Sequence, residues 1–143
     1  MLEVSSYFYD AFDLTEIEEK ELADGLIVIF EAYIKDRKHR FFGKDVPYHK
    51  PAGSVVSDVN LRHVHIQPLE PSHTELEKWR RFRTSDRCLV YARSSCKKYL
   101  LISYMHENAH AQAYDFDYIK ALAKIGENWL YHNNIFADKE YPF

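Results

Sequence analysis

Only two cysteines, Cys88 and Cys96, occur in the chain, so at most one disulfide can form. They stand eight residues apart on strand-like stretches either side of an expected turn. A bridge is geometrically open there, but two reduced thiols in a reducing cytosol are the expectation. Long apolar runs are also missing. The longest, Leu26 to Phe30, falls far short of the ~20 residues that a membrane span needs. The first residues, Met1-Leu2-Glu3-Val4, show no basic region followed by an apolar stretch, so no secretory signal is expected. Neither internal repeats nor low-complexity tracts nor linkers interrupt the 143 residues, and one soluble cytoplasmic domain spanning 1–143 is expected.

What is present is ordinary for a folded protein: 46% hydrophobic and 29% charged residues, a balance that argues against disorder. Aromatics reach 15%, with 11 Tyr and 9 Phe, and suit a core or a binding face equally. The net charge of -3 is unevenly spread. Residues 1–24 carry eight acids against Lys20 alone, a net of -7, which leaves +4 on the remainder. The run Lys78, Arg80, Arg81, Arg83 and Arg87, opposed by Asp86, by itself nets +4 over ten residues. Such asymmetry marks a polyanion-facing side and an opposite acidic side, or simply a solvated basic helix end.

Ser5 to Phe12 reads as a first strand. Thr15-Glu16-Ile17-Glu18 has the capping-box form and opens a helix. Leu22, Leu26, Ile29, Phe30, Tyr33 and Ile34 recur at helical spacing and carry it to about Arg37, despite Gly25. A loop punctuated by Gly43, Pro47, Pro51 and Gly53 follows. Val59 to Gln67 alternates at strand period and ends at Pro68. Glu75 to Phe82 makes a short helical turn, and Cys88–Ala92 and Tyr99–Met105 are strands joined by a hairpin. Phe116 to Leu130 closes the chain as an amphipathic helix. The order predicts an α+β fold, with an N-terminal long helix and a C-terminal helix against one face of a sheet.

His63 and His65, two apart on a strand, leave the same face. Imidazole, with an unperturbed pKa of ~6.5, suits general acid-base work, and two on one face can share proton removal and delivery. The alternative is a pair of partly buried histidines satisfied by neighbours. With Glu70 they also show the His-x-His-x4-Glu spacing of a cupin metal motif. That motif needs flanking glycines, yet Ser57 stands at the leading position and no glycine separates Gly53 from Gly126. No metal site is therefore expected. Arg83, in Phe82-Arg83-Thr84-Ser85-Asp86, can hold phosphate oxygens bidentately, with Asp86 either orienting it or capping the turn. His106 and His110 follow the last strand, from which one of them can return to the histidine pair.

In order along the chain, Leu14-Thr15, Phe42-Gly43-Lys44-Asp45 with Tyr48, Leu61-Arg62-His63-Val64-His65-Ile66, Arg83-Thr84-Ser85-Asp86, Leu89-Val90-Tyr91 and His110 resemble the YafO family of type II toxins. The first helix and its loop are longer than the family pattern, and residues 131–143 lie beyond it. The resemblance implies a ribosome-dependent mRNA endonuclease held in check by a cognate antitoxin. It also implies a small twisted antiparallel sheet of RelE/ParE type, which needs neither metal nor cofactor and attacks phosphate through the ribose 2′-hydroxyl. Where that fold ordinarily uses Lys and Arg, histidines stand here. On this reading His63 or His65 is the general base, Arg83 the phosphate clamp, and His110 or Tyr91 an acid or stacking partner. Lys78, Arg80, Arg81 and Arg87 attract RNA, and the partners are antitoxin, ribosome and mRNA, with no membrane. A non-catalytic toxin acting by occupancy, or a small cupin-like metalloenzyme, are the competing readings.

Overall fold

Leu89, Val90, Tyr91, Leu101 and Ile102 are all fully buried, although they are near neighbours on two strands. Successive strand residues point to opposite faces, so unbroken burial requires a sheet covered on both sides. The computed structural model, which describes residues 1–139, meets this requirement. Its strands are β1 (Leu2–Val4), β2 (Phe42–Pro47), β3 (Arg62–Ile66), β4 (Cys88–Arg93) and β5 (Tyr99–Met105). They form one sheet in the order β1-β5-β4-β3-β2. Helix α1 (Ile17–Lys35) covers one face, where Leu26, Phe30 and Tyr33 meet Val64, Leu89, Tyr91 and Leu101. Helices α2 (Val55–Val59) and α5 (Phe116–His132) cover the other, where Val56, Ile119 and Leu122 meet Val90, Ala92 and Ile102. Helices on both faces replace the one-face arrangement expected from the element order.

The α+β class and the helices at either end stand, while several local expectations change. The sheet is mixed rather than wholly antiparallel, because β1 runs parallel to β5. Residues Ser6–Ala11, expected as strand, form a 3-10 helix. The Ser5 side chain accepts from the Tyr7 N–H at 3.2 Å and turns the chain there, swinging Phe8 and Phe12 into the core. The capping box at Thr15 is not made. Asp13 takes both the Thr15 N–H and its hydroxyl, at 3.1 and 2.6 Å, and α1 starts after Glu16 without a side-chain cap. A true capping box instead opens α3 (His73–Phe82), where Ser72 and Glu75 exchange bonds at 3.1 and 3.2 Å. Among the described residues, no helix is long and apolar enough to cross a membrane.

The loop expected around Gly43 contains edge strand β2, paired antiparallel with β3. The last residue of the α3 turn packs directly on it. Arg83 adopts a left-handed conformation (φ 56°), and its carbonyl accepts the Lys44 N–H at 3.0 Å. A β-carbon on Gly43 would lie 2.0 Å from that carbonyl oxygen. Gly43→Ala is accordingly expected to cost about 1–3 kcal/mol by forcing β2 and α3 apart. Urea unfolding of the variant beside the wild type measures it, and an unchanged midpoint would contradict this packing.

Candidate functional site

Strand register fixes where the histidines go. His63 pairs with Val90 and His65 with Cys88, on the α5 side of the sheet, while Arg62 and Val64 face α1. The two rings meet edge to face at 5.4 Å, as their shared strand face predicts. Their surroundings differ. His63 is stacked on Tyr48 at 4.2 Å, and its buried Nδ1 has no hydrogen-bond partner among the described residues. Burial, then His65 and Arg62, push its pKa down to about 3. It is neutral at physiological pH and a poor base.

This has a thermodynamic consequence. A histidine whose folded pKa lies below the unfolded value of ~6.5 binds more protons when unfolded, so its contribution to stability is present above that pH. As pH falls from about 6.5 toward 3, stability should drop by up to about 1.4 kcal/mol per pH unit on account of His63. Replacing it by Phe keeps the stack on Tyr48 and removes the titration. Urea midpoints between pH 7 and pH 5 should therefore change less in His63→Phe than in the wild type, and an equal slope would refute the buried neutral ring.

His65 is less enclosed and better held. Its Nδ1 lies 2.8 Å from the Ser85 carbonyl oxygen and 3.1 Å from the Ser85 nitrogen. The two contacts call for opposite tautomers, and the one in which Nδ1–H donates to the carbonyl leaves a lone pair on Nε2. Ser85 is itself clamped, its hydroxyl donating to the Ile66 carbonyl at 2.5 Å and accepting from the Arg87 N–H at 3.1 Å. Burial lowers the His65 pKa, and Lys44 lowers it further, against the opposing pull of the Ser85 carbonyl, Asp86 and Asp45. A neutral, oriented imidazole is the result.

A cavity of about 490 Å³ opens beside it, lined by His65, Glu75, Lys78, Thr84, Ser85, Asp86 and His110. Lys78 reaches it from α3. His110 comes from the short helix α4 (Ala109–Gln112), whose first turn is tied to Asp86: the Asp86 carbonyl accepts the Ala109 N–H at 3.3 Å. Asp86 thus positions His110 rather than Arg83. His106 does not join the group but pairs with Glu107 at 3.2 Å on the exposed rim of a neighbouring cavity.

Three expected site residues are placed elsewhere. Tyr91 is fully buried on the opposite face, donating to Asp45 at 2.5 Å beneath α1, and cannot meet a substrate held by His65. The Arg83 guanidinium lies over the Trp79 ring and donates to the Arg40 and Phe42 carbonyls at 2.7 and 2.9 Å. It pins β2 to α3 and lines a different cavity, so the phosphate-clamp role does not fit its position. Arg87 is buried, donating to the Gln67 carbonyl at 2.6 Å and to Tyr104 at 3.0 Å, which removes it from the RNA-attracting set. Lys78, Arg80 and Arg81 stay exposed on α3, Arg81 beside Glu77 at 3.8 Å. The residue that sequence reasoning missed is Lys44, exposed on β2 and close enough to bias His65. Only recognition of β2 as the partner of β3 could have found it.

The cupin spacing does not converge either. Glu70 lines a groove with Ile66 and Leu26 on the α1 side, away from His65. Among the described residues, no group of three or more His, Cys, Asp or Glu side chains is arranged to hold a metal ion. Of the cysteines, Cys88 lies buried beside Met105, its thiol pushed up to about 12 by burial, and Cys96 is exposed.

A family model described as toxin YafO of type II toxin-antitoxin systems matches residues 31–131. The chain belongs to the YafO toxin family. No curated protein and no solved structure matches it. As the toxin of a type II system, it has an antitoxin as its partner. The matched YafO region holds every motif piece except Leu14-Thr15, and the fold brings those pieces together in pairs. Gly43 abuts Arg83, Asp45 bonds Arg62 and Tyr91, His65 bonds Ser85, and Asp86 holds the turn that carries His110. The YafO pattern in this chain therefore describes one contact network around β2, β3 and β4. Most of α1, with its acidic start, precedes the matched region.

Proposed function

We propose that this toxin cleaves mRNA on the ribosome by a metal-independent transfer through the ribose 2′-hydroxyl, with His65 as general base. The observation that carries this reading is the convergence of His65, Lys78 and His110 on one cavity, with His65 held by the Ser85 backbone. Such a reaction needs a base for the 2′-oxygen, a cation for the phosphate and an acid for the departing 5′-oxygen. His65 Nε2 takes the proton, the Lys78 ammonium offsets phosphate charge in place of Arg83, and His110 returns a proton to the leaving group. The 2′-oxygen to phosphorus bond forms as the phosphorus to 5′-oxygen bond breaks, leaving a 2′,3′-cyclic phosphate. Lys44, Arg80 and Arg81 add salt-sensitive attraction for RNA. His63 is a positioning residue that packs edge to face on the His65 ring.

Induction without the antitoxin, followed by mapping of mRNA 5′ ends, tests the reading. Discrete new ends in translated messages support cleavage. Intact messages in arrested cells would instead favour a toxin that acts by occupancy.

A further inference from the structure

Gly25 lies within α1, where glycine is destabilising relative to alanine. Neither backbone nor packing asks for it: it needs no left-handed conformation, and a β-carbon there would meet nothing within 4 Å. It lies instead in an open apolar groove of about 550 Å³, between α1 and the loop around Leu69, with Leu22, Ile29 and Phe41 as further lining. Leu69 leaves 62% of its surface exposed there, and Glu21 and Glu70 edge the groove. The groove does not end at α1. Leu22, Pro68 and Leu69 also line the next cavity, of about 640 Å³, whose acids are Glu19, Glu75, Asp86 and Glu107. Glu75 and Asp86 in turn line the cavity of His65 and His110. The three cavities are thus neighbours that share walls, a segmented trough leading from Gly25 on the α1 side toward the candidate site on the other.

Its chemistry selects the occupant. In the Gly25 groove and the cavity next to it, the acids Glu21, Glu70, Glu19, Glu75, Asp86 and Glu107 outnumber the buried cation Arg87 and disfavour a phosphate backbone, whereas the His65 cavity adds Lys78. An amphipathic polypeptide with Lys or Arg on its edges matches both the acids and the apolar lining of the groove. We propose that the trough is the docking surface of the antitoxin, taken by a basic amphipathic segment that lies across Gly25 and ends over the His65 cavity. The missing side chain at position 25 lets the segment approach the helix backbone closely. The proposal rests on the chain being a type II toxin, and on the proposed site only for what the docked segment covers. Glu21, Leu22, Gly25, Leu26 and Ile29, five of the groove's thirteen lining residues, precede the family-matched region.

Calorimetric titration of full-length toxin with its antitoxin, in the absence of RNA, tests the docking independently of any cleavage. Gly25→Leu puts a side chain into the open groove and should raise Kd at least about thirtyfold. Its Tm should equal or exceed that of the wild type, because leucine is the better helix former in unobstructed space. Reversal of the exposed edge in Glu21→Lys/Glu70→Lys should weaken binding about tenfold and flatten its salt dependence, whether or not Gly25→Leu folds well. In cells, the antitoxin should no longer rescue growth from Gly25→Leu toxin. Wild-type Kd for the double reversal, or for a folded Gly25→Leu, would overturn the proposal.

Discussion

His65→Ala should abolish growth arrest on induction and lower the rate of RNA cleavage by about 10²–10⁴-fold, the usual weight of a general base. The size follows from how much is built around this one ring. Ser85 holds Nδ1 at 2.8 Å, and the Ser85 hydroxyl is in turn bound to β3 through Ile66. A base fixed in this way loses nothing to rotation when substrate arrives. His65→Gln, of similar reach but unable to titrate, should be as inactive as the alanine variant. In the wild type, the acid limb of the pH–rate profile should fall below the ordinary histidine range near ~6.5, because burial and Lys44 lower the His65 pKa. His63→Phe should keep most of the activity, since a ring already pushed down to about 3 takes no part in proton transfer near neutrality. If His65→Gln cleaves at the wild-type rate while His63→Phe does not, the roles assigned to the two rings are reversed.

Asp45→Ala should destabilise the fold by about 3–5 kcal/mol, a large share of the ~5–15 kcal/mol that holds a domain of this kind together. One oxygen of the Asp45 carboxylate accepts from Arg62 Nε at 3.1 Å, and the other from the Tyr33 and Tyr91 hydroxyls at 2.7 and 2.5 Å. Arg37 adds a contact at 3.4 Å and also bonds Tyr99. Arg62 is only 1% exposed, so removing the carboxylate takes away the anionic oxygen to which its guanidinium donates inside the α1 face of the sheet. The Asp45 carbonyl at 3.1 Å and the Tyr91 hydroxyl at 3.3 Å are neutral acceptors and offset a buried charge less well than a carboxylate. Asp45→Asn keeps the volume and one acceptor, and should cost less than alanine. Thermal melts and urea titrations of both variants measure the loss. Melting at the wild-type temperature for Asp45→Ala would mean that Arg62 finds another route to solvent.

The period of the hydrophobic pattern was enough to locate α1, α5 and the three strands β3, β4 and β5, because each repeats its apolar residues over several turns or pairs. The same period placed His63 and His65 on one face, and the face they occupy is the one that carries the cavity. Short elements without a repeat were not legible. Strand β2 contains a glycine, a lysine, an aspartate and a proline, all poor strand formers, and it exists because β3 offers it a ladder and Arg83 accepts the Lys44 N–H. Asp13 and Thr15 show the same limit. The capping pattern at Thr15 was present in sequence, but a competing carboxylate two residues earlier captured the hydroxyl.

The candidate site divides along the same line. Residue type and spacing singled out two histidines, a basic run and a downstream histidine, since proton transfer and phosphate binding demand those groups whatever the fold. Which of them share a space is set by strand register and by side-chain competition, and neither is written locally. Register turned Tyr91 inward to Asp45, while backbone carbonyls captured the Arg83 and Arg87 guanidiniums before any phosphate could. The sequence by itself determined the chemistry available and the family, through an ordered pattern of short pieces. Only the tertiary structure decided that His65, Lys78 and His110 face one cavity, because long-range pairing, not local preference, chooses the neighbours of a strand residue.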